Sequence, residues 1–245
     1  MGQNHGTPPA PVSGVLVVDK EPGWTSHDVV ARVRRITGER RVGHAGTLDP
    51  AATGVLVVCV GTATRIVEYL GEMIKSYRAT IRFGVETDTW DAEGQVVSTT
   101  DPRSLSRAAL DALLRRFVGE IDQMPPMFSA LKRNGTPLYQ LARQGKSVER
   151  MPRRITIYRL TLLRWASPDL ELEVECSKGT YIRALAHDLG QVTGAGAHLA
   201  ALRRTATGHF TLDQTLTLDE LAADKAWRQA LVSPAEALRH MDSVV

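Results

Sequence analysis

The segment Arg41-Val-Gly-His-Ala-Gly-Thr-Leu-Asp-Pro-Ala-Ala-Thr-Gly-Val-Leu56 places one carboxylate, Asp49, in a glycine-rich stretch directly before an apolar run. We expect a loop from Val42 to Thr53 and a buried strand from Val55 to Val60, because the apolar run is short and rich in valine. An isolated Asp-Pro usually only makes a turn. Glycines on both sides, however, also let the backbone approach a ligand closely. A loop held between rigid elements suits a functional site.

Predicted strands and helices surround this loop on both sides. Upstream, a strand covers Gly14 to Asp19, and Thr25 with Asp28 forms a capping box for a helix that runs to about Thr37. Downstream, the apolar periodicity predicts a helix at Thr62–Leu70, a strand at Lys75–Phe83, a helix capped by Ser104, strands at Ile155–Trp165 and Leu170–Cys176, and a helix from about Thr180 that stops at Gly194. The order lacks the regular alternation of strand and helix that a doubly wound parallel sheet shows. The sequence therefore predicts the α+β class, with a mixed, largely antiparallel sheet and peripheral helices.

The composition is that of a folded protein with free thiols. Hydrophobic residues make up 43% of the 245 residues, and no apolar run is long enough to span a bilayer. The two cysteines, Cys59 and Cys176, lie in apolar or alternating segments, so we expect buried free thiols. No histidine or cysteine pair has the spacing of metal ligands, and we predict no metal. The polar stretch Met1–Ser13 lacks the pattern of a secretion signal, and we interpret it as a flexible tail of a cytoplasmic protein.

Positive charge is concentrated in one part of the chain. The formal net charge is only +3, but the segment from Lys132 to Arg164 carries nine lysine or arginine residues against one acid, Glu149. Such a segment suits a polyanion, although a charge run on its own is equally often a solvated face. Much of it lies in a long excursion from the sheet, residues 124–152, and long excursions in compact domains are often functional.

The motif around Asp49 resembles the central motif of the TruB family of tRNA pseudouridine synthases. It fits the pattern GHxGTLDPxATGVL. Five other segments agree with the family in the expected order: Val18-Asp-Lys-Glu-Pro-Gly-Trp-Thr-Ser26, Lys75-Ser-Tyr-Arg78, Thr87-Asp-Thr-Trp-Asp91, Ser177-Lys-Gly-Thr-Tyr-Ile-Arg183 and Gly196-Ala-His-Leu-Ala-Ala-Leu-Arg-Arg204. The resemblance extends from about Gly14 to Asp242. It implies the pseudouridine synthase catalytic fold, as one catalytic domain over residues 14–245.

The resemblance implies conversion of uridine to pseudouridine in the T-arm stem-loop of tRNA, at the position conventionally numbered fifty-five. Asp49 would be the nucleophile. A carboxylate with a reference pKa of about 3.9 is ionised at neutral pH, and it can anchor the nucleotide while the base is detached and rotated. The sequence leaves three routes open: attack at C1′, addition at C6, and removal of a sugar proton. The reaction needs no redox step and no group donor, so we expect no cofactor.

The resemblance also assigns residues to the substrate, which must flip out of its stack. It implies that Tyr77 lies against the target base, His44 supports the rearranged loop, Tyr181 and Leu202 line the nucleotide pocket, and Arg183 holds Asp49 ionised. It also makes Arg65, Lys132 and Arg133 candidates for phosphate contacts, and the 124–152 excursion a clamp over the RNA. Taken singly, each of these residues has an ordinary role in the core or on the surface. The functional assignment depends on the motif.

Other members of the family commonly continue, after a Met-Asp segment like Met241-Asp242, into a small C-terminal RNA-binding domain. The sequence ends at Val245, so we expect that domain to be absent. Two other functions remain open: a tRNA folding helper with secondary catalysis, and a subunit of a guide-RNA-dependent synthase. The leading hypothesis is an isomerase that acts on tRNA without an obligate protein partner.

Overall fold

The computed structural model describes residues 12–102, 105–133 and 135–239, without the side chains of residues 224–226. Most of the predicted N-terminal tail, the predicted cap Ser104 and the Met241-Asp242 segment lie outside these ranges. The chain divides into two compact units. The first comprises residues 1–50, 54–71 and 209–245, and the second comprises residues 51–53 and 72–208.

The strands, in chain order, are β1 (Gly14–Lys20), β2 (Val42–Ala45), β3 (Thr53–Val60), β4 (Lys75–Phe83), β5 (Val85–Thr87), β6 (Val96–Thr99), β7 (Gly119–Gln123), β8 (Lys132–Arg133), β9 (Thr136–Pro137), β10 (Arg153–Ala166), β11 (Asp169–Cys176), β12 (Ala197–Thr207) and β13 (Phe210–Thr211). The α-helices are α1 (Ser26–Thr37), α2 (Val67–Glu72), α3 (Arg107–Leu114), α4 (Leu138–Arg143), α5 (Ile182–Thr193), α6 (Leu218–Ala222) and α7 (Pro234–Leu238). Short 3₁₀ helices cover Gly61–Ile66, Arg115–Phe117, Leu212–Gln214 and Ala223–Arg228. Within the described ranges, every helix is too short or too polar to cross a bilayer.

The first unit is built around β3, which pairs with β1 along one edge and with β2 along the other, both antiparallel. Its residues from Val55 to Val60 are completely buried, as the valine-rich run predicted. Helix α1 opens with the predicted capping box and ends at Gly38, whose φ of 71° suits glycine. The valines of α1 face the core because they recur at helical spacing.

The second unit is built around a five-stranded antiparallel sheet with the order β12–β4–β11–β10–β7. The predicted alternation of β4 is confirmed, because Tyr77, Ala79, Ile81 and Phe83 are all buried on one face. Helix α5 packs on β12, and α3 packs on β10. The predicted α+β class with a largely antiparallel sheet is therefore confirmed.

The solvent face of this sheet carries a ladder of ion pairs. Arg154 pairs with Glu120 and Asp122, Arg159 with Glu173 and Glu175, Arg164 with Glu171, and Arg82 with Asp169. The three glutamates of β11 point to one face because they alternate with buried apolar residues. Each pair is exposed and contributes little to stability. Together, however, the pairs neutralise the positive charge of this face.

Three predicted elements differ in the structure, and several elements were not predicted at all: the strands β5 to β9, β12 and β13, and the helices α4, α6 and α7. The predicted loop from Val42 to Thr53 is shorter, because its first four residues form β2, a strand too short to show alternation in the sequence. The predicted helix at Thr62–Leu70 is a 3₁₀ helix followed by α2. In the described part of the chain, α3 is capped by Ser106, whose hydroxyl accepts a hydrogen bond from the backbone N–H of Ala109.

Candidate active site

Asp49 lies in the loop between β2 and β3 of the first unit, and its side chain is partly exposed. Two glycines shape the loop around it. Gly46 has a φ of 88° and Gly54 a φ of 98°, and few other residues adopt such values without strain. A carboxylate on a loop of fixed shape, partly open to solvent, is suited to nucleophilic attack on a bound substrate.

Buried hydrogen bonds fix the backbone immediately before Asp49. The hydroxyl of Ser26, at the start of α1, accepts a bond from the N–H of Leu48 (2.9 Å) and donates one to the carbonyl of the same residue (3.1 Å). Ser26 is 1% exposed and Leu48 is 3% exposed. One hydroxyl therefore holds both backbone groups of the residue that precedes Asp49.

The backbone immediately after Asp49 is fixed by a buried lysine. The Nζ of Lys20 donates to the carbonyl oxygens of Pro50 (3.0 Å), Trp24 (2.7 Å) and Glu21 (3.0 Å). Lys20 is completely buried, and three acceptors match the three protons of its ammonium group. The Pro50 carbonyl also accepts a bond from the N–H of Gly23 (2.9 Å). The segment from Lys20 to Ser26 thus binds the backbone of the Asp49 loop immediately before and immediately after Asp49.

Two other predicted site residues belong to the first unit. His44 is on β2, opposite Val58 of β3, and its ring meets the ring of His27 edge to face at 5.5 Å. Arg65 is exposed in the 3₁₀ helix that follows β3, as expected of a residue available to a phosphate.

Tyr77 and Leu202 lie on neighbouring strands of the second unit. Tyr77 on β4 is opposite Arg204 of β12, and Leu202 is opposite Ala79, two residues further along β4. Residues opposite each other in an antiparallel pair, and residues two apart on one strand, share a face of the sheet. The structure therefore brings Tyr77 and Leu202 together on one face.

Tyr181 and Arg183 stand at the start of α5, and a buried glutamine positions that start. The side-chain amide of Gln123, at the end of β7, accepts a hydrogen bond from the N–H of Tyr181 (2.8 Å). It also donates a hydrogen bond to the Tyr181 carbonyl (3.1 Å). Gln123 is 2% exposed, so its amide is shielded from competing water. Tyr181, the N-cap residue of α5, is thereby fixed relative to the sheet of the same unit.

The guanidinium of Arg183 is buried and ion-paired within the second unit. Its Nη1 lies 3.4 Å from Oδ2 of Asp91 and donates to the carbonyl of Thr89 (3.3 Å). Its Nη2 donates to the carbonyl of Phe128 (2.8 Å). Sequence reasoning did not assign a role to Asp91, although it lies in one of the segments on which the family resemblance rests. Ion pairing that spans 92 positions leaves no local pattern to detect.

The 124–152 excursion carries the two other phosphate candidates. Lys132 and Arg133 are exposed on β8, which forms a small hairpin with β9 before α4. Among the residues that the structure describes, neither of them makes an ion pair with a carboxylate, and the same holds for Arg143 and Lys146. These cations thus contrast with the paired arginines on the sheet.

The predicted site residues are distributed over both units. Asp49, His44 and Arg65 belong to the first, and Tyr77, Tyr181, Arg183, Leu202, Lys132 and Arg133 belong to the second. Their assembly into one nucleotide pocket, with Arg183 beside Asp49, stays a prediction. Within the described ranges, no group of three histidine, cysteine or acidic side chains could hold a metal ion.

Comparison with solved structures gives the class of protein. The chain is 29% identical to a chain in the crystal structure of a Cbf5-Nop10-Gar1 complex, with a TM-score of 0.73 and coverage of 97% of this chain and 69% of that one. A chain in the structure of an H/ACA RNP bound to a substrate RNA containing 2′-deoxyuridine matches with a TM-score of 0.70 and 28% identity. This chain covers 61% of that longer one. The fold is that of the pseudouridine synthases.

Sequence comparison gives the family. The model of the TruB family pseudouridylate synthase N-terminal domain matches residues 34–182, and that of the tRNA pseudouridylate synthase B C-terminal domain matches residues 183–245. The tRNA pseudouridine synthase B of Syntrophotalea carbinolica is 52% identical over 95% of this chain and 77% of its own length. The enzyme of the same name from Symbiobacterium thermophilum is 53% identical over 95% of this chain and 78% of its own length. The chain therefore belongs to the TruB family of pseudouridylate synthases.

Proposed function

We propose that this chain isomerises uridine to pseudouridine at position fifty-five, in the T-arm stem-loop of tRNA, with Asp49 as the nucleophile. The observation that carries the proposal is the Asp49 loop, in which buried hydrogen bonds fix the backbone on both sides of a partly exposed carboxylate. Family membership supports the same reaction, because relatives about half identical to this chain are tRNA pseudouridine synthases.

The reaction is a rearrangement within one nucleotide. The N1–C1′ bond breaks, the C5–C1′ bond forms, a proton leaves C5, and N1 gains a proton. Because atoms and electrons balance without a donor or an oxidant, the carboxylate of Asp49 and a general base for C5 suffice. The carboxylate acts by attack at C1′, by addition at C6, or as a base that removes a sugar proton, and only the first two routes join it covalently to the nucleotide.

The target uridine must leave its stack before its glycosidic bond is accessible, which costs a few kcal/mol. We assign the offsetting contacts to Tyr77, Tyr181 and Leu202, with His44 supporting the rearranged loop. Arg183 would hold Asp49 ionised and directed at the substrate. The two ring side chains supply stacking surface, because every base has a π-face.

The basic excursion is the proposed RNA clamp. Lys132 and Arg133, together with Arg65, would bind phosphates of the stem-loop. The first two lack carboxylate partners among the described residues, so binding RNA breaks no existing ion pair. The salt dependence of tRNA binding distinguishes this proposal from a merely solvated basic face.

An Asp49→Asn protein tests the nucleophile. Loss of the carboxylate should abolish release of hydrogen from C5 of uridine in tRNA, while the affinity for tRNA stays within about threefold, because the amide is nearly isosteric. Asp111→Asn is the matched control, since Asp111 is an exposed carboxylate on α3. Hydrogen release at the normal rate from the Asp49→Asn protein would show that the nucleophile is misassigned. Mapping pseudouridine at single-nucleotide resolution in treated tRNA would check the site of modification.

Salt dependence tests the phosphate contacts. Each lost contact should lower the slope of log affinity against log salt by roughly 0.7 to 0.9. Lys132→Ala with Arg133→Ala should therefore reduce the slope by about 1.5, the sum for two contacts. Arg159→Ala is the control, because its charge is already paired with Glu173 and Glu175. Equal slopes for the two proteins would remove the excursion from the RNA interface.

The other two hypotheses make different predictions. If the chain acts alone in the cytoplasm, it will modify a bare T-arm hairpin with no other RNA or protein added. If the chain is inactive on the hairpin and becomes active when a guide RNA or protein subunit is added, the hypothesis of a guide-dependent synthase is favoured. Accelerated tRNA refolding by Asp49→Asn would show that a folding-helper role coexists with catalysis. The relatives that are about 50% identical favour the independent enzyme.

A further inference from the structure

Trp90 has an unusual backbone conformation. Among the residues that the structure describes, it is the one non-glycine residue with a positive φ, at 65°. A bulky side chain rarely adopts this region, so surrounding contacts must hold it there. Its N–H donates to the carbonyl of Thr87 (3.2 Å), and its carbonyl accepts from the N–H of Leu199 on β12 (3.0 Å). The turn that follows β5 is thus fixed to the sheet of its own unit.

The ring of Trp90 anchors this turn to α5. It stacks on the ring of His187 with 4.2 Å between centroids and 10° between planes. His187 is four residues after Arg183 on the same helix, so both side chains lie on one face of α5. The Nδ1 atom of His187 also lies 3.2 Å from Oε1 of Glu86 on β5, the strand that precedes the turn. The turn therefore rests on the face of α5 that carries Arg183.

The residue after Trp90 is the partner of Arg183. Oδ1 of Asp91 accepts hydrogen bonds from the hydroxyl of Thr89 (2.6 Å) and the N–H of Glu93 (3.1 Å). Its other oxygen, Oδ2, faces Arg183 at 3.4 Å. The backbone of Trp90 sets the direction of Asp91, and the Thr89 carbonyl supplies a second contact to the same guanidinium. The strained turn thus presents two acceptors to Arg183.

The 124–152 excursion contacts both the ring and the arginine. The guanidinium carbon of Arg150 lies 5.7 Å from the centroid of the Trp90 ring, within range of a cation–π contact. Arg150 also donates to the carbonyl of Pro125 (3.0 Å), and the Phe128 carbonyl accepts from Arg183. The proposed RNA clamp and the buried guanidinium are therefore connected through Trp90 on one side and Phe128 on the other.

We infer that Trp90 is a positioning residue. Through its contacts with His187 of α5 and Arg150 of the excursion, it holds Asp91 against Arg183. It thereby links the position of the Arg183 guanidinium to the proposed RNA clamp. The inference rests on the proposed function for its effect on the reaction. In the proposed role, Trp90 itself touches no reacting atom. It acts through Asp91 and Arg183, and its effect should appear in the chemical step more than in tRNA affinity.

Two substitutions distinguish the contribution of the Trp90 ring from that of its backbone conformation. Trp90→Gly removes the ring but suits the positive φ, so relief of backbone strain offsets part of the lost ring contacts and the protein should remain folded at the assay temperature. Its single-turnover rate at saturating tRNA should nevertheless fall about tenfold or more, because a guanidinium held less precisely stabilises the reaction less. Trp90→Phe keeps a stacking ring and should remain within about threefold of the parent rate. Trp165→Leu, which removes a tryptophan ring that meets Phe83, is the control for ring loss.

Coupling to Asp91 is measured with a double substitution. If Trp90 acts through Asp91, adding Trp90→Gly to Asp91→Asn will lower the rate little further, because the two changes disrupt one unit. Full multiplication of the two rate losses would contradict the inference.

A readout that does not depend on catalysis completes the test. Phenylglyoxal modifies accessible arginines, and Arg183 is only 5% exposed. Its labelling, followed by peptide mass spectrometry, should be about fivefold faster or more in Trp90→Gly and unchanged in Trp90→Phe. Unchanged labelling of Arg183 in Trp90→Gly would overturn the inference, and so would faster labelling with a parental single-turnover rate. An inactive parent protein would instead refute the proposed function, while the labelling would still decide whether Trp90 holds Arg183.

Discussion

Replacing Ser26 with alanine should impair the reaction without touching the RNA. The Ser26 hydroxyl makes two hydrogen bonds, to the N–H and the carbonyl of Leu48, directly before Asp49. Alanine leaves both groups of Leu48 buried without these bonds, at about 1–3 kcal/mol for each group. With partial relief from entering water, we expect the free energy of unfolding to fall by about 2–4 kcal/mol. For a chain of this size, that corresponds to a melting temperature lower by roughly 5–15 °C.

The larger consequence concerns the position of the carboxylate. Displacement of a catalytic group by about 1 Å can cost up to about 100-fold in rate. We therefore expect the single-turnover rate of Ser26→Ala on tRNA to fall about 10- to 100-fold at a temperature where the protein remains folded. The dissociation constant for tRNA, measured by filter binding, should change by less than about twofold, because an interaction confined to the protein interior contributes no phosphate or base contact.

Ser233→Ala is the matched control in the same unit. The Ser233 hydroxyl caps α7 by accepting a bond from the N–H of Glu236 (3.1 Å), so its loss costs about 1 kcal/mol without disturbing the Asp49 loop. Comparable single-turnover rates for the two variants would refute the view that Ser26 positions Asp49 for the proposed reaction. A rate loss that disappears when both proteins are assayed at equal folded fraction would refute it as well.

Three further predictions concern buried polar groups. In Gln123→Leu, the backbone of Tyr181 loses two hydrogen-bond partners. The unfolding free energy measured by denaturant titration should therefore fall by about 2 kcal/mol, and the single-turnover rate should fall as well. Burial, with a smaller contribution from Arg204, lowers the pKa of Lys75 from 10.5 to about 8, so the folded protein releases this proton first as the pH rises. Unfolding free energy should therefore gain about 3 kcal/mol between pH 8 and 10.5 from this group, and a Lys75→Met protein should lack that gain. Burial also raises the pKa of the Cys59 thiol to about 12 and that of Cys176 to about 11, so iodoacetamide at neutral pH should label neither in the native protein and both after unfolding.

Local sequence patterns predicted the elements that have a strong period. The alternation of β4 and the capping box of α1 depend on neighbours two to four residues apart, and both are confirmed. The buried free cysteines are confirmed for the same reason, because apolar surroundings are visible in sequence. Strand β2 was missed because four residues that end in His-Ala carry too few apolar positions to show a period.

The polar contacts that organise the site could not be predicted in this way. Ser26 reaches Leu48 across 22 positions, and Gln123 reaches Tyr181 across 58. A serine at the start of a helix reads as part of a cap, and a glutamine at the end of a strand reads as a surface residue. Their burial and their partners follow only from how distant segments pack. The positive φ of Trp90 likewise depends on stacking with a residue far along the chain.

The ladder of ion pairs on β10 and β11 has a consequence for the search for substrate. An arginine that already neighbours a glutamate offers little attraction to a nucleic acid, so this side of the protein should repel or ignore passing RNA. Encounters with RNA should then begin preferentially at Lys132 and Arg133 of the 124–152 excursion, which make no ion pair among the described residues. An enzyme that meets many non-substrate RNAs should spend less time in misoriented complexes when the arginines of this sheet face are already paired with carboxylates.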